Sequence, residues 1–366
     1  MIAIGSGEDA GQREHSPPSV LIVTGPRCLL VLLVCLCVVL PGAPAAADPP
    51  TAVVVLGDSA ASGDGAGDYE PDTRGEGGNW CHRSVHAYVH RTGLADEGIN
   101  LACSGAEAAD VAFGSETHYT EGSQAQRLQE VAGRYRVTAV VVQVGGNDDV
   151  ALIGTGIACI RAFILPGEPP CRETLGPLVS ERTAATARKV EAAVRDVQEA
   201  MRVAGYTDGA YALVLASYAS PVTEHMVPLQ AAAGCPYSRR DAGWGRTELF
   251  PALSAALGGA AERTGARFLD MTRATEGFEA CTHPLRGEEW QRRITVDAEA
   301  LVHGGLDAVG WHLFQESFHP TAQAHAEMGR CVGDFVRSGD SAAACVATPD
   351  GRAHLEPAPA APAPAA

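Results

Sequence analysis

Basic residues are scarce in this 366-residue chain: 27 lysines and arginines stand against 44 aspartates and glutamates, a formal net charge of −17. Nucleic-acid binding needs clustered cations to displace counterions from phosphates, so no nucleic-acid partner is expected. An acidic surplus instead keeps a protein dispersed by self-repulsion. Apolar runs long enough to span a bilayer are also missing. The run Cys28–Leu40 has 13 residues and rises only about 20 Å as a helix, against roughly 30 Å of hydrocarbon. A stable membrane anchor is therefore not expected. The chain has no C-x-x-C pair, no H-E-x-x-H and no fixed-period repeat, which removes the common zinc, thioredoxin-like and solenoid readings. Asp64, Asp68, Glu70, Asp72 and Glu76 form an acidic stretch, but their spacing does not match a calcium-loop motif. No metal and no cofactor are expected.

What is present points outward from the cell. Arg27 precedes the short apolar run, and "PGAPAAAD" follows it, the three regions of a secretory signal. Residues 1–47 are read as that signal, with cleavage between Ala47 and Asp48, and the mature chain as secreted and extracellular. Of the 11 cysteines, Cys28, Cys35 and Cys37 fall in the apolar run, which leaves eight dispersed ones. An even, dispersed set suits disulfides in an oxidising compartment. Sequential pairing closes the shortest loops and predicts Cys81–Cys103, Cys159–Cys171, Cys235–Cys281 and Cys331–Cys345.

Residues 48–347 read as one domain, and 348–366, "TPDGRAHLEPAPAAPAPAA", as a disordered Pro/Ala-rich tail. Five short apolar runs punctuate the domain: Ala52–Leu56, Ile99–Ala102, Ala139–Val144, Tyr211–Ala216 and Arg267–Asp270. "AVVVQV" and "YALVLA" lack alternation and suit strands covered on both faces. Helical patterns separate the runs, the clearest over Ser180–Gly205 with Ser180 as N-cap and Gly205 as stop; Thr247–Gly265 and Thr321–Val336 follow. Alternating strands and helices predict an α/β sandwich with a parallel sheet. Its chemistry collects at the carboxyl ends of the strands.

Polar residues stand at those ends. The first run leads into Gly57-Asp58-Ser59, the second into a loop with Gly105, and the third into Gly145-Gly146-Asn147-Asp148; His319 precedes Pro320 and a helix start near the C-terminus. Each alone is an ordinary turn signal. Together they supply the parts of an acyl-transfer site: a hydroxyl, a base, and donors for an oxyanion. Ser59 offers the hydroxyl and its own N–H, Gly105 a second N–H, Asn147 a side-chain amide, and His319 the base. Asp58 is read as holding the turn. His82, His86, His312 and His325 receive no catalytic role.

The blocks "GDSAASGDGAGDY", "NWCHRS", "LACSGA", "GGNDD" and "ESFHP" resemble, in order and spacing, those of the SGNH hydrolases, also called GDSL esterases/lipases, and most closely the secreted actinobacterial branch. The similarity runs from about Val53 to Gly329. It implies a flavodoxin-like three-layer α/β/α sandwich on five parallel strands, with disulfide-stapled loops. It also implies Ser59 as nucleophile, Gly105 and Asn147 as further oxyanion donors, and His319 as base. The acid three residues before the histidine is often Asp in the family; here it is Glu316, expected to hold the imidazole unless a backbone carbonyl does so. Ala60 stands where relatives often carry a larger residue.

The expected activity is hydrolysis of carboxylic esters by a monomeric secreted esterase or lipase. A carbohydrate O-acetylesterase or acyltransferase on the same parts is the alternative, and a non-catalytic binding module the third reading. Residues 151–180 and 220–246 exceed ordinary connections and are expected to roof the pocket.

Overall fold

The structure, a computed structural model, describes residues 48–358, which belong to one compact unit beginning at Asp48. The segment read as a secretory signal lies outside the described residues. Seven strands among the described residues form a single sheet: β1 (Thr51–Gly57), β2 (Glu97–Asn100), β3 (Arg136–Gln143), β4 (Ala212–Ala216), β5 (Arg267–Arg273), β6 (Ala342–Thr348) and β7 (Arg352–Pro357). Their order is β2-β1-β3-β4-β5-β6-β7. All neighbours run parallel except β7, which is antiparallel to β6.

Among the described residues ten α-helices complete the fold, with short 3₁₀ and π turns between them: α1 (Ser59–Ser62), α2 (Ala108–Val111), α3 (Gln124–Ala132), α4 (Leu152–Ile164), α5 (Cys171–Leu175), α6 (Val179–Val203), α7 (Arg239–Trp244), α8 (Phe250–Thr264), α9 (Glu299–Gly304) and α10 (Ala322–Ser338). The absence of alternation in the central strands has the expected cause: both faces are covered. Val54, Leu56, Val140, Val142 and Leu215 face α3, α6 and α8 through Leu128, Val190, Val194, Leu253 and Leu257. Val53, Val55, Val141, Val214 and Leu269 face the other way, onto Met328, Val332 and Phe335 of α10.

The five expected strands are all present, but the sheet has seven strands rather than five. β6 is built from small residues, "AAACVAT", which make a weak apolar run. β7 corrects the tail: residues 352–357 pair along β6 from Thr348↔Arg352 to Ala343↔Pro357. That pairing satisfies backbone groups which composition alone gave no reason to pair. The long helix also starts differently. A short 3₁₀ turn, Gly176–Leu178, runs into α6, so Ser180 lies inside the helix and Leu178 stands at the N-cap. Gly265 and Thr321 do cap α8 and α10, respectively.

Four disulfides join the pairs expected from the sequence, Cys81–Cys103, Cys159–Cys171, Cys235–Cys281 and Cys331–Cys345. The second ties α4 to α5 inside the 151–180 insertion. The last ties α10 to β6, fixing the helix that follows His319.

Candidate active site

β1 ends at Gly57, whose φ of +146° and close approach to β3 exclude a side chain: a Cβ there would lie 1.9 Å from the Gln143 carbonyl oxygen. The next residue, Asp58, donates its N–H to that same carbonyl at 3.1 Å. Its side chain caps α1, with Oδ1 accepting from the Ala60 N–H at 3.1 Å. The Tyr218 hydroxyl donates to Asp58 Oδ2 and accepts the Gly146 N–H at 2.8 Å. One tyrosine after β4 thus ties the ends of β1 and β3 together. Burial raises the Asp58 carboxyl to about 7, against the lowering effect of these hydrogen bonds.

Ser59 follows as the first residue of α1 and is nearly buried. Its Oγ lies 2.7 Å from His319 Nε2. The other ring nitrogen, Nδ1, lies 3.1 Å from the Ser317 carbonyl oxygen, which fixes the tautomer with the proton on Nδ1 and leaves Nε2 to accept from Ser59. The His319 loop is held from behind. Arg292 N–H donates to the His319 carbonyl at 2.9 Å, and Phe318 N–H to the Arg292 carbonyl at 3.0 Å. Phe318 itself adopts φ +62°, an uncommon conformation for a bulky residue, here directly before the histidine.

Glu316 does not orient the imidazole. Its Oε1 accepts from the Tyr69 hydroxyl at 2.7 Å, and the oxygen of Tyr69 accepts the Gly65 N–H at 3.0 Å. Arg292 Nε donates to the Gly65 carbonyl at 2.7 Å. The carboxylate therefore joins a clasp between the serine loop and the histidine loop, and a main-chain oxygen has taken the orienting place.

Asn147 reaches across to the neighbouring loop: its Nδ2 donates to the Ala106 carbonyl at 2.9 Å. Beside it, the Ala108 N–H donates to Asp148 Oδ2 at 3.0 Å. These two bonds draw the Gly105 loop against the end of β3. Gly105 has φ +79°, and among the described residues neither its N–H nor that of Ser59 has an acceptor. Ser59, Asn147 and His319 all line one cavity of about 640 Å³; Gly105 is outside its lining. The cavity walls are mostly apolar, with Ile153 and Ile160 from α4, Trp244 from α7, Phe250 from α8, and Phe314 and Phe318 from the histidine loop. Both long insertions contribute to that roof, as their length suggested.

Three residues of this region escaped the sequence reading. Tyr218 sits two residues past the end of β4 with no motif around it. Asp64, read as part of an acidic loop, is fully buried, with Oδ1 2.7 Å from His82 Nδ1 and Oδ2 accepting from Ser104 Oγ. Arg292 acts through main-chain contacts that leave no pattern.

The sequence profile described as the GDSL-like lipase/acylhydrolase family matches residues 55–327. Lipase 2 of Streptomyces coelicolor is 28% identical over 255 residues, covering 68% of this chain and 78% of that protein. Among solved structures, the extracellular lipase of Streptomyces rimosus superposes with a TM-score of 0.50 at 22% identity, over 78% of this chain and 99% of that one. The last likeness concerns the fold; the profile spans most of the chain and takes in Ser59, Gly105, Asn147 and His319. The chain belongs to the GDSL-like lipase/acylhydrolase family.

Proposed function

We propose that this protein hydrolyses carboxylic esters of apolar acyl chains through a Ser59 acyl-enzyme. The observation that carries the reading is the 2.7 Å contact between Ser59 Oγ and His319 Nε2 on the wall of a largely apolar cavity. His319 takes the Ser59 proton as Oγ attacks the ester carbonyl, and the Ser317 carbonyl steadies the imidazolium through Nδ1–H. The tetrahedral oxyanion is received by the N–H groups of Ser59 and Gly105 and by the Asn147 amide, which keeps one N–H beyond its bond to Ala106. The alcohol leaves with the proton from His319. Water then repeats the sequence on the acyl-enzyme, and the acid is released.

Apolar walls favour an acyl chain over a sugar, whose hydroxyls would lose water without gaining partners there. We also infer export, with residues 1–47 removed, because four disulfides need an oxidising compartment to form and persist. The test is turnover of p-nitrophenyl esters from acetate to palmitate by the wild type beside Ser59→Ala. Activity confined to the wild type and extending to long chains is expected. Equal activity in both proteins, or none in either, would leave a fold without this chemistry.

A further inference from the structure

Helix α4 is mostly apolar, yet Thr155 is the only one of its residues that is buried. A helix ordinarily stabilises a domain by burying its apolar stripe; α4 leaves Ile157, Phe163 and Ile164 exposed, and Leu165 just beyond it. A second segment behaves alike. Between residues 301 and 314, Leu301, Val302, Leu306, Val309, Trp311 and Phe314 are exposed, Leu306 to 90%. Four such side chains in 157–165 and six in 301–314 make ten of the sixteen large apolar side chains that stand exposed among the described residues. Scattered exposure of this kind is ordinary, whereas concentration marks a surface that something covers.

Position says what the surface surrounds. Ile157, Trp311 and Phe314 are exposed and also line the cavity of Ser59 and His319, so they stand at its mouth. Charge says what kind of surface fits. On a chain of net charge −17, the ionisable groups in these two segments are all engaged. Arg161 pairs with Glu168 at 3.3 Å, Asp307 accepts the Trp80 indole N–H at 2.7 Å, His303 lies 3.1 Å from Glu76, and His312 Nδ1 contacts Gln315 at 2.8 Å. Within the two segments the formal charges of Arg161 and Asp307 cancel, so the rim is close to neutral on an acidic molecule.

We propose that this rim docks on the surface of an uncharged or zwitterionic lipid aggregate, from which the ester passes into the cavity without crossing water. A folded protein or a second copy seated on the rim would cover the mouth that the substrate uses; a lipid surface covers the same side chains and is itself the source of substrate. The purpose of the surface rests on the ester-hydrolase reading, but its binding does not require turnover.

The experiment is flotation with phosphatidylcholine vesicles, using the chain from Asp48 on, the compact unit of the fold, so that the apolar run Cys28–Leu40 plays no part. Ser59→Ala is the parent protein, so the lipid stays intact, and it is compared with the same protein carrying Val302→Ser and Leu306→Ser. Neither of these two residues lines the cavity. The parent should float with the vesicles, and the double substitution should weaken partition at least about tenfold, as expected for removing two large apolar side chains from a lipid contact. With Ser59 restored, the same two substitutions should leave turnover of dissolved p-nitrophenyl acetate unchanged. A parent that stays in the aqueous phase, or a variant that floats as well as the parent, would overturn the proposal. So would a parent dimer in sedimentation velocity that the substitutions dissolve, because the rim would then belong to a second copy. Vesicle binding without any esterase activity would sink the reaction and leave the surface standing.

Discussion

The Nδ1 of His319 lies 3.1 Å from the carbonyl oxygen of Ser317, two residues back along the same loop. A neutral oxygen in that place holds the tautomer and accepts the imidazolium proton without bringing a buried negative charge to the site. Glu316, one residue further back, is occupied with Tyr69.

Replacing Glu316 with Gln should therefore leave kcat nearly unchanged, since the amide oxygen can still accept the Tyr69 hydroxyl. Removing a carboxylate that does orient a catalytic imidazole costs ~10⁴ in kcat. Steady-state kinetics on a short ester separates the two cases, and a loss near that size would return Glu316 to the reacting chain.

Asn147→Ala should lower kcat ~10²–10³-fold with little change in KM, the pattern of a donor used mainly in the transition state. Because the same amide pulls on Ala106, a thermal melt of the variant is the control. An unchanged kcat would remove Asn147 from the oxyanion site.

The Cys159–Cys171 bridge spans 12 residues and joins the two helices of the first insertion. Changing both to Ala should cost at most about 3 kcal/mol by loop entropy. The larger effect should fall on substrate choice: KM for long-chain esters should rise while acetate is little affected. A chain-length profile that shifts uniformly would show that the bridge does not shape the cavity.

Asp58 ties stability to pH. Its carboxyl is raised by burial from 3.8 to about 7, so over that interval the folded chain holds a proton that the unfolded chain has lost. The stability contributed by this group is complete below the lower value and declines as pH rises through the upper one. Asp58→Asn should flatten that decline, by an amount on the order of a few kcal/mol between pH 4 and 8. Urea midpoints of both proteins across the range check it, and parallel curves would mean that Asp58 is not the group responsible.

Much of the site was legible because its residues carry backbone requirements as well as chemistry. Ser59 stands two residues after Gly57, which its positive φ and the approach to β3 make necessary, and Asn147 and His319 each sit beside turn-forming residues at strand or helix ends. The five central strands were legible for a similar reason, since burial on both faces leaves uninterrupted apolar runs. The oxygen of Ser317 was beyond reach as a particular atom because every residue has a carbonyl, and only the path of the loop selects one. β7 was missed because only Ala353 and Leu355 of "RAHLEP" face the core, too short an apolar alternation to stand out in a Pro/Ala-rich tail. The clasp of Tyr69, Glu316, Gly65 and Arg292 joins positions that are hundreds of residues apart in part, with ordinary side chains at each.

The β6–β7 hairpin also determines how the molecule fails. With β7 in place, the margin of the sheet opposite β2 is a strand with Arg352, His354 and Glu356 along it, and charge on a margin discourages further pairing. A proteolytic cut between Thr348 and Arg352, followed by loss of the fragment, would bare β6, whose Ala343–Val346 stretch is small and uncharged. Such a nicked chain would keep Ser59 and His319 in register through the Cys331–Cys345 bond and would be fully active at first. Its inactivation would then depend on protein concentration, because it would proceed by strand-to-strand association rather than by unfolding.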